Sequence, residues 1–433
     1  MSRAFKLPNI EDLTLDQEKI LALPTDGRQL ILGGPGTGKS VVALLRARKL
    51  AREEKDYYCL AFNHPLLNAN QQLFGSDMAL SHAQWQKWFN KVYQDKLGHA
   101  VPKLPPDPKK PNQFPKANWE QVLKEIRQYK QQQHLNQQAQ TTDTAETSLI
   151  EDTNNPADES ENLDQDVIKP QGKSSFPYLV LDEGQDMPLD FYRALIAMGY
   201  ENFFVVADQN QRIDRKSNSS LEELKVALVV EKPDVHHLTE NFRNNYAIAR
   251  FADTFYNDPA SPRPSLPEPP LHNLTKPLMY CYNPTKFDEI IARIVNTAQN
   301  YPQELIAVIC PNNDVRMHYF DALAKFIDKQ ETSIPVILST YETGSKANLR
   351  FDLGGIMVIN AQACKGLEFD RVFLADIHEY KKMGNDYDNL KKLFYVMTSR
   401  AKNHLVLLLP QGSDDSIIQP ILTKDTQILE RKP

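Results

Sequence analysis

Cysteine is scarce: Cys59, Cys281, Cys310 and Cys364 are the only four in 433 residues. They show no paired metal-ligand spacing, which argues against a cysteine-held metal module and leaves reduced thiols. Cys59, Cys310 and Cys364 lie in or beside strand-like or motif segments, where packing is the expected role. No apolar run approaches the length of a membrane span, and the amino terminus lacks the basic-then-apolar pattern of a secretory leader. A soluble, cytoplasmic chain with no membrane partner is therefore expected. Positive charge is also short, with a formal net charge of −6. That deficit sits in one place: 141–167 carries nine acidic residues and no Lys or Arg, and without it the remainder carries +3. Net charge thus does not exclude a nucleic-acid partner. The length exceeds one ordinary core and implies two or three domains.

Glycine is sparse as well, 16 in all, yet Gly33, Gly34, Gly36 and Gly38 crowd into one stretch. QLIL at 29–32 reads as a short apolar strand, GGPGTGKS at 33–40 as a loop, and 41–46 as the start of an amphipathic helix. Glycine lets such a loop turn its N–H groups inward around phosphate oxygens, and the helix adds the positive end of its dipole. In this pattern Lys39 reaches the β- and γ-phosphates, and the Ser40 hydroxyl holds Mg²⁺. Pro35 and Thr37 complete the loop. A bound nucleoside triphosphate is the expectation.

Upstream, 13–18 looks like a capped helix start, with the helix running to about Ala22. Gln17 on it can read an adenine edge through its amide or be an ordinary surface residue. A second strand at 57–61 leads into Phe62, Asn63 and His64. The segment 81–85, with His82 and Trp85, opens a helix whose Trp88 and Phe89 are expected in the core. From 101 the character changes: proline and lysine to 115, a helix over 118–130, glutamine over 131–140, then an acidic tract poor in apolar residues. Much of 131–174 is expected to be flexible. The tract reads as a linker, or as an acidic cover over a basic groove.

The α/β pattern resumes with strand 178–181, ending in Asp182 and Glu183, and strand 203–206, ending in ADQNQ at 207–211. A buried parallel strand presents ligand-facing groups at its carboxyl edge. Asp182 suits Mg²⁺, Glu183 suits polarising a water, and Gln211 suits sensing a γ-phosphate. In LTENFR at 238–243, Phe242 beside Arg243 suits an adenine face next to a phosphate. A second series follows, with strands at 305–309, 335–338, 356–359, 371–375 and 405–409 and a helix over 393–402. Two parallel-sheet domains with motifs at strand ends imply a nucleotide in the cleft between them.

Six segments in this order (33–40, LDEGQD at 181–186, 207–211, 238–243, KGLEFD at 365–370 and LFYVMTSRAK at 393–402) resemble the superfamily 1 helicases of the UvrD/Rep type. The resemblance implies an α/β fold of two RecA-like P-loop NTPase domains with parallel sheets and a partly flexible insertion in the first. The expected boundaries are 1–100 and 176–273 for the first domain, 101–175 for the insertion, and 274–433 for the second domain. It implies ATP hydrolysis with Mg²⁺ and movement along single-stranded nucleic acid, most often DNA, with RNA open, in repair, recombination or genome defence. By match, Gln17 reads adenine, Phe242 stacks on it, Lys39 and Ser40 take phosphate and magnesium, and Asp182 and Glu183 are the metal and water-activating pair. Gln211 senses the γ-phosphate, Arg243 and Arg400 stabilise transferring charge from either side, and Glu368 touches the nucleotide near its ribose. Phe62, Asn63, His82 and Trp85 resemble strand-contacting positions. Two departures stand out. Too few residues separate Leu338 from Lys365 for the family's large second insertion, and 213–217 lacks the base-stacking aromatic. They leave open an ATP-gated binding subunit that works with a partner such as a nuclease.

Overall fold

The computed structural model describes residues 10–62, 64–74, 82–106, 115–148, 176–211, 219–257, 263–271, 275–329, 335–341, 349–382 and 386–433. Asn63, the segment 213–217 and the tract 149–175 lie outside the described residues. The strands are β1 Arg28–Gly33, β2 Tyr57–Ala61, β3 His82–Gln84, β4 Tyr178–Leu181, β5 Phe203–Ala207 and β6 Val235–Leu238, then β7 Leu278–Tyr282, β8 Leu305–Cys310, β9 Leu338–Thr340, β10 Gly355–Asn360, β11 Phe369–Leu374, β12 Ala401–Pro410 and β13 Glu430–Lys432. The helices are α1 Leu15–Ala22, α2 Lys39–Arg52, α3 His64–Phe74, α4 Trp85–Leu97, α5 Trp119–Ser148, α6 Leu189–Met198, α7 Leu221–Leu228, α8 Tyr246–Asp253, α9 Phe287–Asn300, α10 Asn313–Lys329 and α11 Asp388–Thr398.

The fold is α/β with two parallel sheets, as expected of two RecA-like domains. The first has the order β3-β2-β4-β5-β1-β6 and the second β13-β7-β12-β11-β8-β10-β9. Every pairing is parallel. In the first sheet β1 lies between β5 and β6, and the chain leaves it for β2 three places away. The glycine-rich loop therefore opens where the strand order changes direction, at the carboxyl edge. Val42, Ala47 and Leu50 of α2 pack on Ile31, Val180 and Val206. On one face of the second sheet, Ile290, Ile291 and Ile294 of α9 meet Ile306, Val308 and Val358. Each buried isoleucine contributes about 1.5–3 kcal/mol. Ile248, Phe251 and Phe255, in α8 and just beyond it, join the core on the other face, with Met357, Leu374 and Leu407.

Contacts divide the chain into two compact units, one of them formed by 86–177 and 190–201. Inside that unit Phe89 sits 5.4 Å from Trp119 and 5.5 Å from Phe191, and Trp88 packs edge-on to Tyr200. These aromatics form a core. Tyr93 donates to Glu125 across α4 and α5. Both sheets belong to the other unit.

Several elements differ from the sequence reading. The helix expected over 118–130 runs on to Ser148, because Gln, Glu and Ala favour helix and no Gly or Pro interrupts it. The sequence reading did not extend the helix over 131–148. The helix read over 393–402 spans Asp388–Thr398. Thr398 Oγ1 donates back to Phe394 O at 2.7 Å, and pairing of Ala401 with Phe369 draws 401 and 402 into β12. The strand read at 335–338 is Leu338–Thr340, where β10 supplies its partner. The edge strands β6, VHHL, and β13, ERK, carry too little unbroken apolar sequence to announce themselves.

Candidate nucleotide-hydrolysing site

The first groups to meet come from α1 and the loop after β1. Thr14 caps α1 in a capping box with Gln17, so the Gln17 side chain is fixed: its carbonyl accepts from Thr14 N–H and its Nε2 donates to Thr37 O at 3.3 Å. The loop passes through left-handed backbone at Gly36 (φ 76°) and Gly38 (φ 84°). A Cβ at Gly36 would lie 2.3 Å from Asn241 Oδ1, and one at Gly38 would lie 2.3 Å from Gln17 Nε2. Glycine is required at both places for conformation and for room. Thr37 Oγ1 donates to Gly34 O at 2.9 Å, and Lys39 Nζ donates to the same carbonyl at 2.7 Å.

Lys39 is buried, and Asp208 at the end of β5 lies 3.8 Å from its ammonium. Burial lowers the Lys39 pKa, against the pull of Asp208 and Glu183. Asp182 hydrogen-bonds the Ser40 hydroxyl and accepts from Glu183 N–H at 2.9 Å. Burial, then the neighbouring Glu183, pushes its carboxyl up to about 6. Glu183 takes the left-handed conformation (φ 54°) that non-glycine residues seldom adopt. Burial alone would raise its pKa, but Lys365, Lys39 and Arg400 together hold it below the ordinary value. Gln185 fixes the carboxylate, donating to Glu183 Oε2 at 2.6 Å while accepting from Asp208 N–H at 2.9 Å.

The second sheet supplies the facing groups. Arg400 is fully buried just before β12; it donates to Val396 O, Leu367 O and, at 2.7 Å, Gln211 Oε1. Arg243 donates through Nε and Nη2 to Glu368 Oε1 at 3.0 and 2.7 Å. Lys402 approaches the other oxygen of Glu368 at 3.1 Å. Burial opposes ionisation of Glu368, but Arg243 and Lys402 overcome it and hold the carboxyl low, at about 2. Phe242 is 57% exposed at the rim, its N–H bonded to Gly36 O.

These side chains line one cleft of about 410 Å³, with Gln17, Pro35, Gly36, Gly38, Lys39, Ser40, Glu183, Gln211, Phe242, Arg243, Glu368 and Arg400 all on its wall. That size suits a nucleotide. The donor set fits Mg²⁺, because Ser40 and Asp182 offer hard oxygens and this ion takes its remaining ligands from water and phosphate. No group of three His, Cys, Asp or Glu suited to a metal occurs among the described residues. Gly34 closes on Pro264, and its Cβ would overlap that ring.

Of the strand-contact candidates, Asn63 lies outside the described residues. Phe62 is half-buried, His82 pairs through β3 with Cys59 of β2, and Trp85 is only 5% exposed. Trp85, expected as a strand-contacting position, thus offers little ring face to a base. Missed by the sequence reading were Asp208, Gln185, Lys402 and the buried pair Lys365–Asp186, whose Nζ–Oδ1 distance is 2.5 Å. Their signal was a charged or amide residue inside a motif at a strand end, but not the partner.

The site and fold define an α/β protein with a phosphate-loop cleft faced by arginines. Residues 355–408 match the family of UvrD-like helicase C-terminal domains, so the resemblance to UvrD-like helicases holds over that segment. No curated protein matches the chain. Among solved structures, the C-terminal domain of a possible DNA helicase from Lactobacillus plantarum WCFS1 matches at 16% identity. The match covers 44% of this chain and 99% of that one, with a TM-score of 0.30, too slight a likeness to bear on function. No helix among the described residues is long and apolar enough to cross a membrane.

Proposed function

We propose that the chain is an ATP-hydrolysing translocase of the helicase type that acts on single-stranded nucleic acid, DNA foremost. The observation that carries this reading is the convergence of Lys39, Glu183 and Gln211 with Arg243, Glu368 and Arg400 on one cleft wall. Groups from both sheets would then contact one ligand, so its hydrolysis would change how the sheets face each other. Lys39 and the loop N–H groups bind the phosphates, and Gln17 and Phe242 orient the base. Ser40 and Asp182 would hold Mg²⁺, which neutralises charge on the phosphates. Glu183, kept ionised, orients and deprotonates the attacking water. Gln211 reports the terminal phosphate, and Arg400 and Arg243 stabilise the charge that develops on it.

Steady-state ATP turnover without nucleic acid and with single-stranded DNA, single-stranded RNA or duplex DNA tests the reading. Strong stimulation by one single strand is expected and identifies the track. Turnover indifferent to every nucleic acid would sink the translocase and favour a switch subunit controlled by a protein partner.

A further inference from the structure

The segment 241–245 changes allegiance within three residues. Phe242 N–H is bonded to Gly36 O at 2.9 Å, and Asn241 lies against Gly36. One residue later the N–H groups of Arg243 and Asn244 still donate to Asn241 Oδ1, at 3.0 and 3.2 Å, while the donors of their side chains turn to the second sheet. The Arg243 guanidinium rests on Glu368 and on Ser399 O. Asn244, 5% exposed, donates both Nδ2 hydrogens, to Ser399 O at 3.1 Å and Ala401 O at 2.5 Å. Asn245 N–H follows with Lys402 O at 3.0 Å, and its Nδ2 with Asn403 O at 2.9 Å. The helix beyond, α8, buries Ile248 and Phe251 in the second sheet's core.

We propose that Asn244 is a positioning residue that fastens Arg243 to the second sheet, so that Arg243 and Arg400 approach or leave the nucleotide together while Phe242 stays with the phosphate loop. The inference rests on the proposed ATP hydrolysis and adds to it the point where the chain passes from one moving body to the other. Only an amide meets the geometry. Two carbonyls need two donors, while the Asn244 Oδ1 accepts from Asn241 Nδ2 at 3.0 Å. Asp at this position keeps the shape but turns an acceptor toward two carbonyls, which repel it. Arg400 is held by Val396 O and Leu367 O independently of Asn244, so the consequence falls on Arg243.

The test compares wild type, R243A, N244D and the double variant, reading kcat, KM and the affinities of fluorescent ATP and ADP analogues. N244D is expected to lower kcat by about tenfold, to leave ADP affinity unchanged and to reduce the preference for ATP over ADP. In the R243A background it is expected to change kcat no further, a non-additivity that mere loosening of the fold would not produce. A full further loss in that background, or unchanged kcat in N244D alone, overturns the assignment. If N244D does not fold, N244S, which keeps one donor, takes its place in the same comparison. R243A turning over like wild type would instead remove Arg243 from the chemistry, and the positioning role with it. Wild type that binds neither analogue would refute the proposed hydrolysis itself.

Discussion

Arg400 Nη2 donates to Gln211 Oε1 at 2.7 Å, so the second sheet's buried arginine ends on the candidate phosphate sensor of the first. A nucleotide's terminal phosphate would compete for the same guanidinium, and its formal charge makes it the stronger acceptor. Arg400→Ala is expected to cut ATP turnover by about 10³-fold, by analogy with arginine fingers. It also leaves Leu367 O without its donor, which costs about 1–3 kcal/mol of stability, while Val396 O keeps the Ser399 hydroxyl at 2.9 Å. Turnover and thermal melts on one preparation check both. A folded variant with normal turnover would remove Arg400 from the site.

Glu183 gives a cleaner separation of binding from chemistry. Its carboxylate accepts from Gln185 and faces the charges of Lys365, Lys39 and Arg400. Glu183→Gln keeps the size and the bond to Gln185, but it cannot take a proton from water. ATP binding measured by fluorescence is expected to persist while single-turnover hydrolysis disappears. Ordinary hydrolysis in the variant would take Glu183 out of the base role.

Much of this was legible because the informative residues are local. A strand, a glycine loop and a Lys-Ser pair fix one another's geometry within a dozen positions, and the apolar runs of β4, β5, β8 and β10 announce buried parallel strands. What was not legible depends on partners far away in sequence. Glu368 reads as a nucleotide contact and lines the cleft, but its part as the counter-ion of Arg243 and Lys402 is not legible from its own motif. Trp85 resembles a strand-contacting position, and its burial depends on packing partners that its local sequence does not name. Helix α5 continued through glutamine-rich sequence because helix needs no apolar face where its propensity is high. β13 could not be seen at all, because its three residues are a strand only through pairing with β7.

The thiols make a test of packing that is independent of function. Cys59, Cys310 and Cys364 are buried, and burial first of all pushes their thiols up, that of Cys364 to about 12. Cys281 is only partly covered. Because the thiolate is the reactive form, a disulfide reagent at mild pH is expected to label Cys281 alone in the native protein and all four thiols after unfolding. Rapid native labelling of Cys310 would contradict its place in the second sheet's core.

Asp186 predicts a pH dependence whose sign can be worked out. Burial, with the nearby Glu183 adding, pushes its carboxyl up to about 7, against the pull of Lys365, which lies 2.5 Å away. The ordinary value is 3.8, so between about 4 and 7 the folded chain holds a proton here that the unfolded chain has lost. Stability from this group is therefore fully present below that window and is lost as pH rises through 7. One such group can contribute a slope of at most about 1.4 kcal/mol per pH unit. Asp182, raised to about 6, acts in the same direction, so the whole slope does not belong to Asp186. Asp186→Asn keeps an acceptor for Lys365 and removes the titration. His236, His237 and His404, which burial holds below the ordinary imidazole value, act in the opposite direction over the same range, so the sign is read from the variant against wild type at each pH. The melting temperature of the variant minus that of wild type, without added magnesium, should rise from pH 5 to pH 7.5. A difference that stays constant or falls would show that the buried carboxyl of Asp186 does not take up the proton.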